Sequence, residues 1–310
     1  MDNDRVDDAQ VDVETFRALA RSSRVLWRSV QLTWRPFSGH PRERAWVRRP
    51  DAYRVETLDG QLLRAGRNEP PAVGIGEWVV VGWEPDRRAV PRRSFSGAVP
   101  AVLFGASDDG REIAPSSAAE ALAAVAPAPA PRLRNDGLVA WLPFDPGNDT
   151  VPMYSNYRWV AMLDPIELAD GDWFAAAQAR GESTDDHDPN DPDPPPGAIT
   201  EVRAVEHHGR PALEAAITPD VSYLPRCGCC PLLDGAVAFA AEWHDRGPWP
   251  DDTPDGTTFA VRIDRQTGIC VSVETLDGDP AHHDRGRLDV HIEAVDDDLP
   301  DGFFPDHPLR

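Results

Sequence analysis

The chain contains no lysine, so its 31 basic residues are all arginine. They stand against 53 aspartates and glutamates, giving a formal net charge of -22 over 310 residues. An excess of this sign repels nucleic acid and anionic membrane surfaces, and neither is expected as a partner. It suits solubility or a basic partner. Long apolar runs are missing too: no window approaches eighteen apolar residues, which excludes membrane insertion through a helix. The first residues, "MDNDRVDDAQVDVETF", carry neither a basic n-region nor an apolar h-region, so a cytoplasmic location is expected. Reduced thiols follow from that, because structural disulfides are rare in the cytosol.

Catalytic signatures are equally scarce. The sequence has no G-x-S-x-G elbow, Walker loop, H-E-x-x-H or G-x-G-x-x-G. A non-catalytic protein is therefore expected. "VGIGEW" reads as a glycine turn entering a strand, and Asp296 to Asp298 as a solvated loop.

What is present is mostly strand pattern. Val13, Phe16, Leu19, Ala20, Leu26 and Trp27 fall on one helical face, with Asp12 as N-cap. Arg17, Arg21, Arg24 and Arg28 make a second stripe, read as the solvated edge of a docked helix or as a site for an anionic partner. The period then drops to two. Val30, Leu32 and Trp34 alternate with polar residues in "SVQLTWR". "RAWVRR", "AYRVETLDG", "QLLRAG", "EWVVVGWE" and "RRAVPRRSF" continue an antiparallel meander, with Asp59-Gly60 as a hairpin turn. Further on, "NYRWVAMLDPIELADGDWF" reads as strand-like aromatic runs with a helical turn near Pro165 to Ala169. Strands resume around His208-Gly209, in "FAVRIDRQTGICVSVETLDG" and in "RLDVHIEAV".

These segments predict an α+β fold: a strongly curved antiparallel β-sheet with helices on its concave face. The expected organisation is a single domain over 1–310. A helix and strands occupy 10–95, and a middle insertion occupies 96–180, including the Pro-Ala alternation "AAVAPAPAPR". A disordered acidic, proline-rich loop occupies 181–197, and strands completing the sheet occupy 198–310.

"LWRSVQLTWR", "AWVRRPDAYRVETLDG", "GRPALEAAI" and "VRIDRQTGICVSVETLDG" together resemble the LolA-like group. That group comprises bacterial lipoprotein carriers, lipid-binding lipoproteins and a sensor domain that regulates an anti-sigma factor. The resemblance covers about the first 95 and the last 110 residues, and it implies an unclosed β half-barrel whose concave face is plugged by helices. The chain departs from the group in lacking an export signal and in carrying a cysteine cluster and a large middle segment. "YRWVAMLDPIELADG" and "PRCGCCPLL" are more closely similar to a set of actinobacterial proteins with no established activity.

Three site expectations follow. An apolar cleft between sheet and helix would bind a hydrophobic small molecule or a protein partner, on Trp34, Trp46, Trp78, Trp83, Phe16 and Leu19. Three of the four cysteines lie in "RCGCCPLL", and Cys227, Cys229 and Cys230 with Cys270 would make a four-thiolate zinc site. Packed thiols and a redox pair activated by Arg226 are the other readings of that stretch. His207, His208 and His291 with a cysteine would be another metal set. An acidic protein that caps a basic partner is the alternative to ligand binding.

Overall fold

The computed structural model describes residues 11–36, 39–67, 130–142, 151–184, 188, 191–243, 254–284 and 286–304. The segments "EWVVVGWE" and "RRAVPRRSF", with Trp78 and Trp83, lie outside the described residues, as does the Pro-Ala stretch up to residue 129.

The first element is the helix expected from the 3.6-residue period, α1 (Val13–Leu26). The Asp12 carboxylate accepts from the Thr15 amide at 2.8 Å, which satisfies one of the helix's orphan donors. Four strands follow: β1 (Ser29–Trp34), β2 (Glu43–Arg48), β3 (Ala52–Thr57) and β4 (Leu62–Arg67). Gly60 supplies a φ of +90° at the β3–β4 turn, where the Asp59-Gly60 pair predicts it. A two-stranded ribbon comes next, β5 (Arg132–Leu133) and β6 (Val139–Trp141).

Helices α2 (Tyr157–Leu163) and α3 (Trp173–Arg180) flank a 3-10 turn at Ile166–Leu168. The second half of the chain holds β7 (Gly197–His207), β8 (Arg210–Pro219), α4 (Ala236–Trp243), β9 (Phe259–Asp264), β10 (Cys270–Thr275) and β11 (Leu288–Val295). A last 3-10 turn spans Asp301–Phe303.

The class is α+β: one nine-stranded sheet in the order β4-β3-β2-β1-β11-β10-β9-β8-β7, with four α-helices among the described residues. Each pairing within it is antiparallel. Two meanders, β1 to β4 and β7 to β11, are joined where β1 pairs with β11, Val30 opposite Val295 and Trp34 opposite Val290. The alternating residues behave as their period requires: Val30, Leu32, Trp34, Leu288, Val290 and Ile292 are all buried. One hydrophobic cluster takes in Phe16 from α1, Leu32 from β1, Trp159 from α2 and Val261 from β9, so both meanders share it.

Two local expectations are corrected. "YRWVAML" is not strand-like; it is α2, and Arg158 through Leu163 are all buried. A segment enclosed on every side shows no solvent-facing period to read. The Asn156 cap, whose side chain accepts from the Trp159 amide at 3.3 Å, fixes its start instead. Helix α4, inside a stretch read as sheet, was not anticipated at all.

Three of the four arginines of the stripe are not a solvated edge, while Arg28, past the end of α1, is exposed. Arg21 is 1% exposed and Arg17 and Arg24 are largely buried. Arg21 binds Asp170 through Nε at 3.0 Å and Nη2 at 2.7 Å, while Arg24 Nε reaches Asp164 at 2.9 Å. The anions that this stripe meets are the protein's own. Between the arginines, Ser23 Oγ donates to Leu163 O at 2.6 Å and Ser22 Oγ accepts from the Val139 amide at 2.7 Å. Helix α1 is thus bonded to α2 and to the β5–β6 ribbon through its own polar residues.

Of the acidic segment 181–197, the far end is tied down. Arg17 donates to Asp193 O at 2.7 Å, and the Gly171 amide donates to Pro194 O at 2.7 Å. Gly171 is required there: an added Cβ would stand 2.9 Å from Pro195 O and 2.8 Å from Ser222 O.

Candidate thiol site

Cys227, Cys229 and Cys230 sit in a loop between β8 and α4, and a buried clasp holds its base. The Glu167 side chain, 1% exposed, enters from the 3-10 turn between α2 and α3. Its Oε2 accepts from the Arg226 amide at 2.9 Å and its Oε1 from the Leu232 amide at 3.1 Å. One carboxylate therefore pins both ends of the loop. Tyr223 Oη donates to the same Glu167 Oε1 at 2.7 Å and accepts from the Leu233 amide at 3.1 Å. Arg158 from α2 donates to Pro231 O at 3.1 Å and also to Gly286 O. Every one of these groups is buried and bonded, as a buried polar network must be to be stable.

Above the clasp the thiols converge. The Cys230 amide donates to Cys227 O at 3.3 Å, closing a tight turn that puts three side chains on one rim. Cys227 Sγ lies 2.7 Å from Cys229 Sγ, and Cys229 Sγ lies 3.7 Å from Cys230 Sγ. Cys229 is exposed and its two neighbours are half-buried. The backbone of Gly228 passes directly under the Glu242 carboxylate of α4, so that a Cβ there would collide with it. Two sulfurs on one tetrahedral zinc, each at ~2.3 Å, stand about 3.8 Å apart. The Cys229–Cys230 separation already matches that spacing, and Cys227 has to open by about 1 Å to match it.

The protonation of these groups follows from their crowding. Hydrogen bonding to Cys227 first, and burial second, raise the Cys229 thiol. Burial, then the neighbouring Cys227, push Cys230 up to about 12. The cation expected to activate the thiols does not face them. Arg226 is turned inward, its Nη2 on Asp164 Oδ2, and its side chain is 2% exposed.

Cys270 is not part of this cluster. It is fully buried on β10, its Sγ donates weakly to Ser272 O at 3.8 Å, and burial raises its thiol to about 12. The three clustered thiols, without Cys270, lie within 4.8 Å of one another.

Of the residues expected to line an apolar cleft, Phe16, Leu19 and Trp34 are packed together in the core, and Trp46 lies on the other face of the sheet. Phe16 and Leu19 are 0% and 3% exposed, packed in the core. Trp34 is 1% exposed, with its ring edge-on to Trp159 at 5.0 Å and to Tyr154 at 6.4 Å. Trp46 alternates with buried Ala45 and Val47 and so faces the opposite side of the sheet. There it bonds Gln31 at 3.0 Å and meets Phe303 at 5.3 Å. An open cleft of about 750 Å³ lies elsewhere, at the C-terminal end of α1. Arg24, Arg28, Arg48, Arg49 and Asp296 share its walls with Trp27, Pro50 and Leu299, so its lining mixes charged and apolar groups.

His207, His208 and His291 do come together, with Asp289 in place of the expected cysteine. The His207 and His208 rings are 4.4 Å apart, His208 and His291 are 5.0 Å apart, and His208 Nε2 lies 2.8 Å from Asp289 Oδ1.

Fold and site together define an α+β protein with a large antiparallel sheet and a clasped loop presenting three thiols. No family model, curated protein or solved structure matches the chain. Among the described residues no helix is long and apolar enough to cross a membrane.

Proposed function

We propose that this protein binds a soft metal ion through the thiolates of Cys227, Cys229 and Cys230. One observation carries the reading: three sulfurs share one exposed rim, on a loop held at both ends by the buried carboxylate of Glu167. A loop fixed in this way keeps the ligands close before the ion arrives, which lowers the entropy lost on binding. Thiolate donors select zinc, copper(I) and similar ions over magnesium or calcium. Crowding disfavours three adjacent thiolates in the free loop. A bound cation reverses that balance by replacing their protons. A redox pair would need an adjacent cation to activate it, and Arg226 turns away from the thiols onto Asp164. The role is one of binding, with no catalytic step assigned to the loop.

The sheet is, in this reading, the half-barrel of the LolA-like group. The tip of the β7–β8 hairpin supports it. His207 and His208 touch Asp289 of β11, four positions away in the strand order. In a flat sheet those strands stand about 19 Å apart, at ~4.8 Å per strand, so contact between them fits a rolled sheet. Helices α1 and α2 pack into the shared core, while the thiol loop lies at the surface within reach of an ion.

The test is metal titration of protein purified under reducing conditions, with cadmium or silver followed by thiolate charge-transfer absorption and the free thiols counted in parallel. The expected result is one thiolate-bound ion per chain, three thiols protected together, and loss of the charge-transfer band in the C227S/C229S/C230S variant. Three freely reactive thiols with no absorption change at stoichiometric metal would overturn the proposal.

A further inference from the structure

The polar cluster on β11 is separate from the thiol loop and rests on different observations. His208 occupies the tip of the β7–β8 hairpin with φ +48°, followed by Gly209 at +78°. Two successive left-handed residues are the signature of a tight hairpin turn, and Asn or Asp is the usual choice before Gly. A histidine there holds a left-handed backbone conformation that L side chains adopt uncommonly. Its ring points at β11. His208 Nε2 is 2.8 Å from Asp289 Oδ1, and His207 Nε2 is 3.4 Å from the same oxygen. His207 Nε2 also lies 3.1 Å from Val290 O. Arg42 holds the other oxygen of Asp289, so Oδ1 is left facing the two imidazoles. The His207 side chain is 9% exposed and the His208 side chain 35% exposed, so the cluster is open on one side only.

We infer that His207, His208 and Asp289 form a second metal site, one for a borderline divalent ion such as zinc, nickel, cobalt or copper(II). The three ligand atoms already lie within 4.8 Å of one another. Donors sharing an ion at ~2.1 Å stand about 3.0–3.4 Å apart, and the two Nε2 to Oδ1 separations bracket that range without any movement of the backbone. Binding through Nε2 exchanges the His207 contact with Val290 O and the His208 contact with Asp289 for bonds to the ion. Arg42 then acts as the outer partner that orients the ligating carboxylate. Two imidazoles and one carboxylate leave coordination positions open. His291 stands next in line, its ring 5.0 Å from that of His208. The ion would bridge the hairpin tip to β11 and lock the two ends of the β7 to β11 meander together.

The experiment uses the C227S/C229S/C230S chain, so that thiol binding does not contribute, and titrates it with cobalt(II) and nickel(II). The expected result is one ion per chain with weak ligand-field absorption and no sulfur charge-transfer band. H207A/H208A should lower the affinity at least a hundredfold, and D289N should lower it at least tenfold with an unchanged circular-dichroism spectrum. H282A/H283A removes a half-buried pair whose rings bond Asp255 and Asp277 O instead, and it should leave the affinity unchanged. Two results would overturn the inference: no binding at millimolar metal, or binding that survives H207A/H208A or D289N in a folded chain. Failure here with cadmium binding intact in the unsubstituted protein leaves the thiol proposal standing, and the reverse outcome separates them equally.

Discussion

Arg226 and Cys227 are neighbours in sequence and belong to opposite kinds of polar site. Arg226 turns inward to Asp164, which is 0% exposed and also binds Arg24. Cys227 turns outward to two more thiols at the surface. In the arginine–carboxylate cluster each charge meets its opposite within the fold, and nothing from outside is needed to complete it. In the thiol loop like groups are pressed together, and under the proposal made above an external cation is what would relieve them. The difference teaches that polarity alone does not mark a functional site. What marks it is whether the fold itself supplies the complement.

Five variants sharpen or break that contrast. The largest effect is expected from Asp164→Ala. It removes the carboxylate shared by Arg24 and Arg226 from a dry environment and should lower unfolding stability by about 3–5 kcal/mol in denaturant titration. Burial works to raise the Asp164 pKa, but Arg24, Arg226 and Arg49 outweigh it, so the carboxyl ionises below its ordinary range. Its stabilisation is therefore complete above about pH 4 and disappears as pH falls through the lowered folded value. Acid titration of Asp164→Asn should lose that part of the pH dependence; an unchanged acid profile would mean that the cluster is not structural. Trp34→Ala should cost about 3–5 kcal/mol, as removal of a packed aromatic does, with cadmium stoichiometry unaltered.

Smaller effects are expected around the loop. Glu167→Gln keeps one acceptor of the clasp and loses the other, which should cost about 1–3 kcal/mol. It should also weaken cadmium binding about tenfold, which corresponds to roughly 1.4 kcal/mol. Binding that remains as tight as before would show that the clasp does not organise the thiols. The C227S/C229S/C230S variant should lie within about 1 kcal/mol of the parent when no metal is present. In the parent, metal at a hundred times its Kd should add about 2.7 kcal/mol, and the variant should lack that gain. A large loss in the metal-free variant would place the thiols with the structural cluster and erase the comparison.

Much of the framework was legible because it is local. Alternation in "SVQLTWR" and "RLDVHIEAV", the Asp59-Gly60 turn and the Asp12 cap each depend on residues a few positions apart. Tyr157–Leu163 was not legible, since burial on all sides leaves no periodic signal. The arginine stripe was visible, but its partners Asp164 and Asp170 lie some 140 or more positions away, and spacing cannot reveal them. The cysteines drew attention in the sequence, yet Glu167, the residue that holds their loop, is separated from it by about 60 positions. The sequence groups His291 with His207 and His208, but with a cysteine where the fold supplies Asp289; the hairpin tip that meets Asp289 is about 80 residues earlier.

The pairing of β1 with β11 has a consequence for synthesis on the ribosome. Val30 emerges about 260 residues before Val295, an interval on the order of 10–50 s at ordinary elongation rates. Throughout that interval the N-terminal meander has a strand edge of bare amides and carbonyls with no native partner yet made. Such an edge invites pairing with a neighbouring nascent chain. Translation speed and holdase capacity, rather than final stability, are then what set the yield of folded protein.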